Sequence, residues 1–394
     1  MIWTGPAAPE TWPGAQLSDR DDLIEILVLA AHLGVADVIF QTGRPVLCKL
    51  HGRTVALTTF PLQKIHVERA MKAMTGQESI VARLVSANDV DAAFNVPDHG
   101  LLDAHNLPTQ HRFRFSATAC DHDGSTGYQV VLRYIPSRPP TLSEVGFPPE
   151  LVEHIAPRQG AILIAGPTGS GKSTTFAACV RHIIEGNTRI SGNVVIYEHP
   201  IEYLFGDIPS SSCTVAQQEI GVHLKTFADG ARNALRRAPD LVVVGEMRDA
   251  PTIEAATTLV KTGHPLYGTV HAGSAAQVFR RLAMYFPSGE QDQALADLLE
   301  TTHLVIFQQL VPAVAGGRVC LREWLLIDDR VRETVLAAPR LAVTSVLRDL
   351  IATGNAGRSL VAAATRARAD GLISAETEAD VVRSRGSASP GART

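Results

Sequence analysis

The sequence predicts an α/β protein in two parts, a larger domain on a parallel-rich sheet preceded by a small α+β domain. Three observations carry this reading. Beyond residue 150, short apolar runs rich in β-branched residues alternate with helical patterns, as in a buried parallel sheet with helices on both faces. Before residue 136, strand-like stretches mix with amphipathic helices. Between the two, Pro136-Ser137-Arg138-Pro139-Pro140-Thr141 and Phe147-Pro148-Pro149 hold too many prolines for a helix interior or a central strand.

In chain order, residues 1–17 read as an irregular start. Ser18-Asp19-Arg20-Asp21 looks like a capping box, opening a helix through Leu23, Ile24, Leu27 and Ala31 that stops near Gly34. Strands are expected at 37–42, 45–51, 112–119 and 128–134, with helices at 62–74 and 78–84, so that the first domain occupies 18–135. The proline-rich linker takes 136–149. The larger domain, 150–383, has strand candidates at 161–165, 194–197, 241–244, 266–270 and 305–310 and a helical C-terminal part. Residues 384–394, rich in Gly, Ser and Arg, read as a disordered tail.

Composition narrows the function. With 394 residues, 45% hydrophobic and 19% charged, the chain can fill the cores of two or three domains, which excludes a mainly disordered protein. A formal net charge of −4 supplies no protein-wide basic field, so no direct nucleic-acid binding is expected. Cys48, Cys120, Cys179, Cys213 and Cys320 are scattered with no CxxC pair, which argues for reduced thiols and against a disulfide framework or zinc ribbon. The start lacks the basic-then-apolar order of a signal peptide, and the longest apolar runs, such as Ile26–Ala31, are far too short to span a bilayer. The expected location is cytoplasmic, with any membrane contact peripheral.

The motif that carries chemistry is Gly166-Pro167-Thr168-Gly169-Ser170-Gly171-Lys172-Ser173-Thr174, placed after the apolar strand Ile162-Leu163-Ile164 and before a helix. Its glycines let backbone N–H groups curl round phosphate, and the helix N-terminus adds partial positive charge. Lys172 is positioned to reach the β and γ phosphates and the Ser173 hydroxyl to ligate Mg²⁺. The motif therefore predicts binding of ATP with Mg²⁺.

Three further strands end in polar groups. Leu241-Val242-Val243-Val244-Gly245 leads to Glu246, where it can hold Mg²⁺ through water or orient the attacking water. Val194-Val195-Ile196-Tyr197 leads to Glu198, an equivalent candidate, and the strand from Leu266 to Val270 leads to His271. In an open α/β sheet the carboxyl ends of the strands border the ligand crevice, so Glu246, Glu198 and His271 form one candidate constellation. Which glutamate takes the proton stays open at this point.

These residues also carry a resemblance. Gly166–Thr174, Glu198-His199-Pro200-Ile201-Glu202-Tyr203, Gly245-Glu246-Met247-Arg248-Asp249, and Thr262-Gly263-His264 through Gly268-Thr269-Val270-His271 occur in the order of the Walker A, Asp box, Walker B and His box of the secretion ATPase superfamily. Within it, Arg112–Cys120, Leu132–Pro136 and Gln217–Gly221 look most similar to the PilT-like DotB/TraJ branch of type IV secretion and conjugation ATPases. The resemblance implies a PAS-like N-terminal domain and a RecA-like ATPase domain, six subunits in a ring, and partners in the inner-membrane and cytoplasmic parts of a secretion or pilus apparatus. It also implies that Arg114 and Arg133 reach toward the phosphates from the N-terminal domain. The chain departs from the family at His199, which stands where the Asp box usually has aspartate, at Gln218 in place of an arginine common in PilT, and at Pro265 in place of leucine. The implied output is a motor for secretion or conjugation. Pilus retraction, a low-turnover assembly scaffold and a DNA translocase are the competing readings.

Overall fold

The structure is a computed structural model that describes residues 11–35, 37–50, 53–86, 88–102, 106–135, 138–186, 188–354 and 356–386. The chain divides into two compact units, Met1–Arg138 with Glu202–Leu204, and Pro139–Ile201 with Phe205–Thr394.

The first unit starts with residues 11–17, which carry no helix or strand although Trp12 and Leu17 are buried. Helix α1 (Arg20–His32) is capped one residue later than the sequence suggests. Asp19 is the N-cap, accepting from the N–H groups of Asp21 and Asp22, and Asp22 closes the box. Leu23, Ile26, Leu27 and Ala30 form its buried face. Strands β1 (Asp37–Gln41), β2 (Leu47–Leu50) and β3 (Arg53–Ala56) form a meander. Helices α2 (Lys64–Thr75) and α3 (Ile80–Val85) follow, then the long strands β4 (Val90–Leu102), β5 (Pro108–His122) and β6 (Ser125–Ile135). The result is an antiparallel sheet of order β3-β2-β1-β6-β5-β4. Strands β3 and β4 are missing from the sequence expectation because β4 alternates poorly and contains Pro97 and Gly100.

In the second unit the order is β7 (Gly160–Ala165), α4 (Lys172–Ile184), β8 (Gly192–Glu198), β9 (Cys213–Glu219), α5 (Phe227–Ala234), β10 (Leu241–Val244), α6 (Ala250–Lys261) and β11 (Pro265–Val270). Then come α7 (Val278–Ala283), α8 (Gln291–Thr301), β12 (Thr302–Pro312), β13 (Arg318–Leu326), α9 (Asp329–Leu336), α10 (Val343–Ala352), β14 (Gly357–Arg358), α11 (Leu360–Ala369) and α12 (Ala375–Gly386). The sheet runs β14-β13-β12-β7-β11-β10-β8-β9. Pairing is parallel from β12 through β9 and antiparallel only where β13 and β14 extend the edge. Strands β7, β10 and β11 are buried at every position, which is why they read as unbroken apolar runs.

Two boundaries move. From Pro139 onward the proline-rich stretch belongs to the second unit: Arg181 donates from Nη1 to the Pro139 carbonyl at 2.8 Å, and Phe147 is buried. Pro136 and Ser137 lie outside the described residues. At the other end, α12 continues through Ser384 to Gly386, three residues expected in the tail, because Val381 is buried and the helix carries on past it. Residues 387–394 lie outside the described residues.

Candidate active site

The loop Gly166–Gly171 connects the central strand β7 to α4, and its shape depends on glycine. Gly166, Gly169 and Gly171 have φ of 154°, 75° and 83°, a region that favours glycine. A Cβ on Gly166 would lie 2.5 Å from Ser170 Oγ and 2.6 Å from the Gln308 carbonyl, so the chain has no room for one. Lys172 Nζ donates to the carbonyls of Gly166 and Pro167, each at 3.0 Å, holding its ammonium across the loop. Pro167, Thr168 and Gly169 form the exposed rim, while Ser173 and Thr174 are half-buried on the first turn of α4.

The polar strand ends converge on this loop. Strand β10 neighbours both β8 and β11 in parallel register, and β11 neighbours β7, so their C-terminal ends share one edge. His271 Nε2 lies 3.5 Å from Glu246 Oε1, and Arg248 Nη1 lies 3.6 Å from Glu246 Oε2. Burial pushes the His271 pKa down, Lys172 and Arg281 push the same way, and Glu246 pulls against them. Lys172 and Glu246 are thus each within electrostatic reach of His271. The net effect favours the neutral imidazole at His271. The backbone on either side of Glu246 is held by hydrogen bonds to neighbouring strand ends. Gly245 N–H donates to Tyr197 O at 2.7 Å, Met247 N–H to Thr269 O at 2.9 Å, and Thr269 Oγ1 to Gly245 O.

Glu198 sits differently. It ends β8 and is buried, 4% exposed, whereas the Glu246 side chain is 33% exposed. Only Glu246 therefore has ready access to solvent water. Beside Glu198, buried Glu219 accepts the Ile201 N–H at 3.2 Å. His199 is exposed, so the change from the usual Asp box falls on a surface position. Gln218 accepts from Arg237 Nη1 at 2.5 Å, giving the substituted position a partner on the same unit.

Arg114 and Arg133 belong to the first unit and stand directly opposite each other on β5 and β6. Arg133 Nε donates to Asp37 Oδ1 at 2.9 Å while its side chain stays 66% exposed.

Sequence reasoning missed two supports of the loop. Gln308 on β12, fully buried, donates from Nε2 to the Ser170 carbonyl at 2.7 Å. Arg322 on β13, also buried, donates to the carbonyls of Gly146 and Val145 and, at 3.1 Å, to Thr175 Oγ1 at the start of α4. A glutamine inside the apolar run 305–310 was the available signal for the first. A cavity of about 690 Å³ opens beside Ser170, Gly171 and Thr174, walled by Phe147, Arg318 and Arg358. A second, of about 320 Å³, opens between Gly166-Pro167 and His271. Both volumes fall in the range of small-molecule sites.

A glycine loop on a helix N-terminus, a lysine across it and a carboxylate–imidazole pair at the sheet edge define a phosphate-handling site of the P-loop class. Residues 63–317 match the family described as "Type II/IV secretion system protein", and the chain belongs to that family. Over 96% of its length it is similar to the Legionella pneumophila ATPase DotB, with 98% of that chain covered, TM-score 0.81 and 35% identity. It is also similar to the type IV pilus retraction ATPase PilT of Pseudomonas aeruginosa, 31% identical over 80% of this chain and 85% of that protein. A structure of the retraction motor PilT with bound ADP superimposes with TM-score 0.74 at 29% identity, covering 94% of this chain and 97% of that one. The protein is a secretion or pilus ATPase of the PilT/DotB kind within the secretion ATPase superfamily. Among the described residues, no helix is long and apolar enough to cross a membrane.

Proposed function

We propose that this protein is a hexameric ATP-hydrolysing motor that energises a type IV secretion or conjugation system. The observation that carries the chemistry is the gathering of Lys172, Glu246 and His271 around the Gly166–Gly171 loop. The loop N–H groups and Lys172 bind the phosphates, and the first turn of α4 adds its dipole. Ser173 and Glu246 are oxygen donors, the chemistry Mg²⁺ prefers, and would hold it together with the phosphates. When bound, Mg²⁺ neutralises charge developing on the phosphate oxygens. Glu246, accessible to solvent and next to a neutral His271, orients the attacking water and takes its proton. Glu198, buried at the end of β8, is the second candidate for that role. Arg133 and Arg114, opposite each other on β6 and β5, are the arginines to which the family resemblance gives a role toward the γ-phosphate. The N-terminal part of the chain, residues 18–135, would act as a PAS-like domain preceding the ATPase domain.

The match to DotB over nearly the whole chain supports the secretion reading. The matches to PilT support the second one, pilus retraction, with the same chemistry and a different output. In either case the ring would work at the cytoplasmic face of the inner membrane. Cross-linked pull-down from native membranes separates the two. Recovery of type IV secretion or conjugation components supports the first reading, and recovery of pilin and pilus-platform proteins replaces it with the second.

A further inference from the structure

The first unit holds a cluster that the ATPase chemistry does not use. His32 ends α1, Asp98 lies on β4 and His111 on β5, and their ligand atoms all lie within 4.8 Å of one another. Asp98 Oδ2 is 2.7 Å from His32 Nε2 and 3.2 Å from His111 Nε2, so both rings aim the same nitrogen at one carboxylate oxygen. Asp98 and His111 are buried, with side chains 3% and 8% exposed, whereas that of His32 is 53% exposed and opens the cluster to solvent.

The surroundings are ordered like the outer shell of a metal site. Asp98 Oδ1 accepts the Gly100 N–H at 2.9 Å, which fixes the carboxylate plane and leaves Oδ2 for the histidines. Tyr134 Oη lies 3.3 Å from His111 Nδ1. With Nε2 on a metal, Nδ1 carries the proton and donates it to that hydroxyl, the arrangement that holds metal-bound imidazoles in one tautomer.

We propose that His32, Asp98 and His111 bind a divalent transition-metal ion, best matched by Zn²⁺, through two imidazole Nε2 atoms and one carboxylate oxygen. Two nitrogens and one oxygen suit Zn²⁺ and do not suit Mg²⁺, which takes oxygen ligands. Ligands about 2.0–2.2 Å from a tetrahedral ion sit farther apart than the 2.7 Å of the His32–Asp98 contact. The exposed His32 ring must therefore swing outward slightly, and water takes the fourth position. The ion would pin the C-terminal end of α1 to the β4–β5 pair.

The test is metal titration of the full-length, nucleotide-free protein. Zn²⁺ is followed by calorimetry and Co²⁺ by its visible absorption, both in excess Mg²⁺ so that the phosphate loop does not contribute. One equivalent should bind per chain, with the absorption of a tetrahedral cobalt site. His32→Ala changes the exposed ligand and should leave the fold intact by circular dichroism while abolishing stoichiometric binding. Lys172→Ala should bind as wild type does. Tyr134→Phe should weaken binding about 10- to 100-fold, the usual effect of losing an outer-shell partner. Absence of a stoichiometric ion in the wild type would overturn the proposal. So would unchanged binding in a folded His32→Ala protein, and the cluster would then be a hydrogen-bonded triad only.

Discussion

Replacing Gln308 tests whether the phosphate loop is held from behind by β12. In Gln308→Leu the side chain keeps nearly the same volume, so no large cavity opens, but the Nε2 donor 2.7 Å from the Ser170 carbonyl is lost. That carbonyl sits in a buried environment, with Ser170 3% and Gln308 0% exposed, and water cannot readily replace the donor. Leaving a buried acceptor unsatisfied costs about 1–3 kcal/mol. If the cost falls on the loop conformation that cradles phosphate, ATP affinity drops by about 5- to 150-fold, at 1.4 kcal/mol per factor of ten. Gln308→Glu should be worse still, because it turns a carboxylate oxygen toward the carbonyl. Titration with a non-hydrolysable ATP analogue gives the affinity, and a thermal melt confirms folding. A folded Gln308→Leu protein that binds as tightly as wild type would refute the argument.

Three further outcomes follow from the geometry. Gly245→Ala places a Cβ 2.8 Å from the Tyr197 carbonyl and 3.2 Å from Glu198 Cα, backbone that cannot yield, and should destabilise the protein by about 1–3 kcal/mol in denaturant melts. His271 has its pKa lowered from the ordinary 6.5, so its contribution to stability is complete above that value and is lost as pH falls below it. Melts across this window should show a shallower acid-side loss in His271→Gln than in wild type. Finally, mixing Arg133→Ala with Lys172→Ala subunits should partly restore ATPase activity if Arg133 completes a neighbour's site. A mixture that stays dead places the arginine within its own subunit, and full activity in Arg133→Ala alone removes its role.

The parts most legible in the sequence are those where one physical constraint dominates. Strands β7, β10 and β11 are buried on both faces and read as plain apolar runs. The phosphate loop shows its glycines because only glycine fits there. The parallel topology those runs imply puts Glu246 and His271 at neighbouring strand ends, where the structure brings their side chains to 3.5 Å, while Glu198 ends β8 buried. Elements with mixed patterns were not legible. Strand β9, Cys213–Glu219, is mostly half-buried, and β13 carries buried Arg322 and Glu323, charges that disguise a core-facing strand. Glu323 accepts the Ala275 N–H at 2.7 Å and Arg322 reaches three acceptors, so the partners of both buried charges are distant in sequence. The same holds for His32, Asp98 and His111, which the fold of the first unit brings together from 66 and 13 residues apart.

The most direct test of the central claim is phosphate release from Mg²⁺-ATP by wild-type protein and by Glu246→Gln, with ATP binding measured alongside. The glutamine keeps the size and hydrogen bonding of the side chain but cannot accept a proton. Steady turnover is expected in the wild type. The variant should retain ATP binding and lose about a hundredfold or more in rate, the scale of positioned acid–base assistance. A variant that turns over at the wild-type rate would contradict the account and move the proton-accepting role to Glu198.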